Sequence, residues 1–593
     1  MQALGFASAM KPNVNAAYTS STFEVDISAS TSCNESIPSH ARNDFKPVVT
    51  PPENPKVSAG ESRNHAFLVG AGIFLSRIAG LVRERVFAHY FGNSGVADAF
   101  KAAFRIPNFL QNMFGEGVLS ASFIPVYAKL LAHKDEEEAR RTAGAVAGLL
   151  GLCVSIIVLV GVFATPILIY FIAPGFHDEK RELTIRLVRI LFPGAGLLVL
   201  SAWCLGVLNS HRRFFLSYTA PVIWNIAMIV TLVAFGRREG QSLLAVHLAW
   251  GSVAGSALQV LVQLPTVLRL LGGLRLSLAY QTENVKTIVR NFFPVFIGRG
   301  VVQISAYVDV WLASLIQING ALAALSYAQT LYTLPVSLFG MSVSAAELPQ
   351  MSGALGTEEE VAAALRKRLN AGLRQIAMFV VPSVAAFLIL GDVIVAAIYR
   401  TGQFKQADVI YVWGILAGST VGLLASTLGR LYSSTYYALR DTRTPLIFAI
   451  VRVALTTGLG YLCAIVLPPM LGIEVRWGAA GLTISAGIAS WVEFHLLRRT
   501  LNRRIGRTGL PLDYLAKLWG AALVAAAAGY AVHYFFSHHM PILFDRRPSA
   551  YYPLVAVVVL APYGLVYFAA LLLLGLDEAR GLMNGVARRF SSR

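Results

Sequence analysis

The chain has 593 residues, 55% of them hydrophobic and only 14% charged, and its mean hydropathy of +0.59 excludes an ordinary soluble domain. The net charge of +18 lies largely in short loops between apolar stretches, so it reports membrane topology and gives no support to nucleic-acid binding. The four cysteines, Cys33, Cys153, Cys204 and Cys463, are scattered without CxxC or zinc-ligand spacing and read as small structural residues.

The composition points to an all-α polytopic membrane protein. Residues 1–64 are rich in Ser, Asn, Ala and Pro and lack a cationic start followed by an apolar core, so they read as a disordered cytoplasmic tail rather than a signal peptide. Beyond them, apolar stretches long enough to cross about 30 Å of hydrocarbon recur. About fourteen spans are expected, near 66–90, 97–130, 144–173, 184–209, 215–236, 242–271, 287–316, 320–351, 372–400, 407–435, 444–467, 478–497, 514–536 and 552–576. Loops rich in Lys and Arg alternate with loops poor in them, for example Arg140, Arg141, Arg212, Arg213, Arg366, Lys367 and Arg368 on one side, which places both termini in the cytoplasm.

The first span carries Arg77 about halfway along, where a cation costs roughly 2.5 to 3.5 kcal/mol unless it faces a polar cavity or a partner. Glu84 follows seven residues later on nearly the same helical face, whereas Arg83 points about 120° away from Arg77. The second span adds Asp98, Lys101, Arg105 and, between Gly115 and Gly117, Glu116. Arg77 and Glu116, mid-span, read as cavity-facing. For Arg83, Arg85, Asp98 and Lys101, snorkelling to the interface weighs about equally with a functional role. Further along, Asp309 in span 7 and Arg452 in span 11 read as neutralising one another, with a coupling-ion site at Asp309 as the sharper alternative; Glu493 reads as an interface residue.

Weak internal symmetry is visible. Phe123–Lys129, followed by Asp135–Glu138 and Arg140–Arg141, has a counterpart in Glu347–Ser352, followed by Glu358–Glu360 and Arg366–Arg368. Both sets come after the second span of their half, which suggests two parallel repeats around a central site. The expected organisation is a tail (1–64), an N-terminal lobe of helices 1–6 (65–275), a C-terminal lobe of helices 7–12 (276–507), and helices 13–14 with a short cytoplasmic C-terminus (508–593). Walker-type, His-Glu-x-x-His and Gly-x-Ser-x-Gly motifs are missing, so a transporter without catalytic chemistry is expected rather than an enzyme.

The runs Ser76–Glu84, Phe91-Gly92, Asp98–Phe100, Arg105–Leu110 and Phe114–Pro125, with Tyr399–Phe404 and Tyr432–Pro445, closely resemble the MurJ/MviN family of lipid II flippases from about residue 66 to the end. The resemblance implies the MOP-exporter fold, two six-helix lobes around a cavity, with the last helix pair forming a groove for a polyprenyl tail. It implies as substrate lipid II, an undecaprenyl-pyrophosphate-linked disaccharide peptide, flipped across the bacterial inner membrane by a protein acting as a monomer. Another anionic polyprenyl-linked glycan is the alternative cargo. The resemblance further implies substrate-binding roles for Arg77, Arg83, Glu116, Asn108, Gln111 and Asn112, with Glu84, Asp98, Arg105 and Thr330 as gate or cavity partners. Gln111, Asn112, Gln329 and Thr330 stand where the family often has charged residues. Arg452, Thr456 and Thr457 offer no carboxylate to join Asp309, which argues against sodium coupling and leaves the membrane potential as the expected drive, with no cofactor.

Overall fold

The computed structural model describes residues 59–353, 356–539 and 548–591; residues 1–58 of the expected tail lie outside them. Among the described residues every regular element is helical. In chain order these are α1 (Ala59–Phe91), α2 (Gly95–Phe114), α3 (Glu116–Ala132), α4 (Glu136–Ile172), α5 (Asp178–Ser210), α6 (Phe214–Phe235) and α7 (Gln241–Leu270) in the first half. The second half holds α8 (Glu283–Leu315), α9 (Ala321–Pro335), α10 (Ser342–Ser352), α11 (Glu358–Ile389), α12 (Gly391–Tyr399), α13 (Gln406–Ala438), α14 (Arg443–Tyr461), α15 (Leu467–Met470) and α16 (Gly478–Ile505). Then come α17 (Leu512–His539), α18 (Pro548–Leu573) and α19 (Asp577–Ser591).

Packing follows the halves. In the first lobe α5 sits against α7, α2 and α4, while α1 lies along α6. In the second, α13 is the central helix, flanked by α16, α11 and α9, and it is buried along most of its length. The last two long helices pair with each other and lean on α11 and α12, held by Tyr563 Oη and Tyr567 Oη donating to the carbonyls of Pro382 and Met378. These hydroxyls end in carbonyls that intrahelical geometry leaves with spare lone pairs, which satisfies them within an apolar environment. The terminal helix pair is present as expected, while α8, the first helix of the second half, lies chiefly against α3, α4 and α2 of the first.

The second span of each lobe is broken, and the sequence reading did not anticipate the first break. Residues 97–130 were expected as one helix, but the chain bends at Gly115, whose ψ of −153° is extended; the Val118 and Leu119 amides then donate to its carbonyl to start α3. A Cβ at Gly115 would lie 2.1 Å from the Gln111 carbonyl oxygen, so only glycine fits this bend. In the other lobe α9 ends at Pro335 and a π-helical turn, Val336–Met341, leads into α10. Each broken span is followed by a long helix with an acidic first turn: Asp135 accepts from the Glu138 amide, and Thr357 and Glu360 form a reciprocal capping box. The acidic-to-basic stretches noted in the sequence are thus equivalent helix starts.

Eleven helices are long and apolar enough to cross a membrane among the described residues. The three expected spans outside that set are α1, the α2–α3 pair and α8, which carry Arg77, Arg83, Glu84, Asp98, Lys101, Arg105 and Asp309. These are the helices that bring charge into the protein interior.

Candidate functional site

The site is built where α1 and α2 of the first lobe meet α9 and α12 of the second. On α1, Glu84 accepts from Lys101 Nζ of α2 at 2.5 Å and from the Arg83 guanidinium at 2.8 Å, with all three side chains no more than 15% exposed. Arg83 also donates to Asn225 Oδ1 of α6 at 3.1 Å and stacks over the Trp224 ring at 5.0 Å. Lys101 lies 4.5 Å from the Phe87 ring centre and 5.3 Å from that of Tyr327 on α9. Two cations thus share one carboxylate, with aromatic faces supplying part of the solvation that burial removes.

Asp98, 1% exposed, joins the lobes directly. Its carboxylate receives the Gly320 and Ala323 amides at 2.7 Å each and Lys180 Nζ at 2.7 Å. Gly320 is the N-cap residue of α9 and has no side chain to satisfy that helix start, so a carboxylate from the opposite lobe caps it and meets its positive pole. Glycine is required there, because φ is +90° and a Cβ would fall 2.4 Å from the Asn93 carbonyl. Nearby, Arg85 donates to the Ala397 and Ile398 carbonyls at the end of α12, Tyr327 Oη to the Gly92 carbonyl at 2.9 Å, and the Gln403 amide to the His89 carbonyl at 2.8 Å. This end of the seam between lobes is sealed.

Toward the other end of α1 the surface opens. Arg77 is exposed, as are Phe74, Leu75 and Ile78, and Arg77 has no hydrogen bond or ion pair among the described residues. It shares a face with Glu84, one helical stretch below the sealed cluster. Asn112, also exposed, donates to Gln303 Oε1 of α8 at 3.2 Å. Asn108 and Gln111 line a narrow cleft within the first lobe, bounded by α5, α6 and α7. Arg105 is partly buried, and its carbonyl and that of Ile106 accept weakly from Tyr307 Oη. Thr330 turns its hydroxyl back onto the Ser326 carbonyl. The side chain of Glu116 lies outside the described ones.

A second polar centre lies inside the C-terminal lobe, a cavity of about 210 Å³ among α8, α9, α13, α14 and α16. Asp309, Gln329, Arg430 and Arg452 line it. The expected pairing of Asp309 with Arg452 is not what forms: Arg452 binds Glu493 of α16 at 3.3 Å. α14 turns Arg452 toward α16, its main packing neighbour, where the carboxylate is within reach, whereas Asp309 has no ion-pair partner among the described residues.

The sequence weighs snorkelling and function about equally for Lys101, which the structure places on Glu84, and it does not single out Lys180, which reaches Asp98. Arg430 was passed over, although an arginine eight residues inside the end of a span carried the same signal as Arg77.

A solved inward-facing multidrug resistance MATE family transporter of the MOP superfamily shares this fold of helical lobes, with a TM-score of 0.56 at 18% identity over 74% of this chain and 98% of that one. A solved lipid II flippase MurJ in an inward closed conformation superposes with a TM-score of 0.69, 23% identity, and coverage of 86% and 99%. The family profile described as "Lipid II flippase MurJ" matches residues 87–545. The probable lipid II flippase MurJ of Rhizobium meliloti (strain 1021) is 32% identical over 78% of this chain and 85% of its own, and the lipid II flippase MurJ of Burkholderia cenocepacia is 30% identical over 84% and 93%. The chain belongs to the lipid II flippase MurJ family.

Proposed function

We propose that the chain moves lipid II from the cytoplasmic to the periplasmic leaflet of a bacterial inner membrane by alternating access, as a monomer with both termini cytoplasmic. The observation that carries this reading is the sealed seam around Glu84 and Asp98, with the unpaired Arg77 below it on the accessible side. In that orientation the sealed end is periplasmic and the open end cytoplasmic.

The pyrophosphate of the head group enters beside Arg77. Arg83, held by Glu84 in the empty protein, is released toward the phosphate as the incoming anion competes with that carboxylate. Glu84 retains Lys101, so no cation is stranded in an apolar interior. Asn112, facing outward from α2, meets the sugar, and Asn108 and Gln111 join it when α2 shifts against α5 and α7. Arg105 and Thr330 act as partners along the same passage. The Asp98 cap then breaks, the lobes rock, and the tail stays in lipid along α17 and α18. No cofactor takes part.

Export of an anion from a negative interior is favoured by about 2.3 kcal/mol per charge per 100 mV, so the membrane potential supplies the drive. Asp309 is a candidate for an ion site, and the unpaired Arg430 of the same cavity opposes a lone sodium ion there.

The test is rescue of cells depleted of their lipid II flippase. Wild type restores growth and lipid II translocation, whereas Arg77→Ala and Arg83→Ala insert normally and fail. Failure of the wild type to rescue, alongside binding of a different polyprenyl-linked glycan, would overturn the assignment of cargo.

A further inference from the structure

The cavity of the C-terminal lobe contains charges that the mechanism above does not use. Arg430 projects into it from α13 and Asp309 from α8, and neither has a hydrogen bond or ion pair among the described residues. Arg452 is already committed to Glu493. Two guanidinium groups are therefore balanced by two carboxylates, and the cavity as a whole is neutral. A lone anion entering it would be repelled by Asp309 and a lone cation by Arg430. A group carrying both charges satisfies both side chains at once. Gln329 and Tyr332 add amide and hydroxyl partners, and exposed Gln329 sits on α9, the helix whose other residues form the sealed seam. The volume of about 210 Å³ suits an amino-acid-sized group rather than a whole disaccharide.

We propose that this cavity is a subsite for the zwitterionic end of the head-group peptide, with Arg430 holding a carboxylate and Asp309 an ammonium. The inference rests on the lipid II reading and deepens it, since it makes this lobe the part of the protein that distinguishes the peptide from the rest of the cargo. Charge-assisted hydrogen bonds of this kind are each worth about a tenfold change in affinity.

The test measures binding of four lipids to the purified full chain in detergent: a polyprenyl-pyrophosphate disaccharide whose peptide has a free carboxylate and a free amine, the same lipid without peptide, and forms with the carboxylate amidated or the amine acetylated. Wild type is expected to bind the complete head group at least about tenfold more tightly than the peptide-free lipid, and to lose most of that gain on either modification. Arg430→Gln should become indifferent to amidation while still sensing acetylation, and Asp309→Asn should show the reverse. Wild-type binding of peptide-bearing and peptide-free lipids with equal affinity overturns this inference and leaves the pyrophosphate reading standing. Binding of neither lipid overturns both. Peptide-free lipid is also the folding control; should Arg430→Gln lose it, Arg430→Lys decides, retained sensitivity to amidation supporting the assignment and its loss overturning it.

Discussion

At the scale of single residues, the protein keeps its cations ready by pairing them with its own carboxylates. Glu84 occupies Arg83 and Lys101 as phosphate oxygens would, at 2.8 and 2.5 Å. Replacing it with Gln leaves two buried cations against a neutral amide, which costs on the order of 3 kcal/mol. Glu84→Gln is therefore expected to lower the melting temperature of the purified protein and to abolish rescue, and an unchanged melting curve would refute the shared-carboxylate arrangement. Asp98→Ala removes three charge-assisted bonds, two of which, from the Gly320 and Ala323 amides, join the lobes. The sealed conformation should lose about 2 kcal/mol or more relative to the open one. A cysteine introduced at the buried Tyr327 position then reacts faster with a polar thiol reagent added from the periplasmic side than it does in the Asp98 background. Equal labelling rates would show that the seal lies elsewhere.

Among elements, breaks and caps matter more than span number. Gly115→Ala places a methyl carbon against the Gln111 carbonyl, so the expected result is loss of stability by about 1 to 3 kcal/mol, read by thermal unfolding, with transport lost in parallel. The turn between α13 and α14 gives a pH signature. Burial would raise the Asp441 carboxyl, but donors from the Thr444 amide and hydroxyl and from the Arg504 guanidinium outweigh it and hold the group below its ordinary value of 3.8. Because the folded value is the lower one, the stabilisation is full above the unfolded pKa and is lost as pH falls through the folded one. Melting temperature should drop more steeply from pH 5 toward pH 3 in wild type than in Asp441→Asn; parallel curves would remove Asp441 from the account.

The same scale shows what could be read in advance. Long apolar runs gave the helices, and the acidic starts at Glu136–Glu138 and Glu358–Glu360 marked equivalent points of two repeats, because capping chemistry is local. The bend at Gly115 was obscured by continuous hydropathy on both sides. Arg77 and Glu84 were legible on one face by helical spacing alone. The partners of Glu84, Arg83 and Asp98 were not, because Lys101, Asn225 and Lys180 reach them only through tertiary packing. For the same reason Arg452 could not be assigned to Glu493, which is 41 residues away on a helix whose rotation no periodicity specifies.

For the whole molecule, the two lobes divide the work. The first lobe holds the buried cations of the seam and the second a neutral polar cavity, while α17 and α18 pair with each other and lean on α11 and α12. If the potential drives turnover, collapsing it in vesicles at constant pH should slow flipping by at least about tenfold, since a single charge moved through 100 mV is worth about 2.3 kcal/mol. Undiminished flipping would exclude that drive.

The glycine at the start of α9 also bears on departure of the cargo. If the lobes part as proposed, Asp98 withdraws and leaves bare amides at the tip of that helix, a positive doorway on the side the seam had closed. Such a tip attracts phosphate as readily as it attracted the carboxylate. The exit would therefore briefly hold what it is meant to let go, and the return of Asp98 would do more than shut the door: it would eject the last guest.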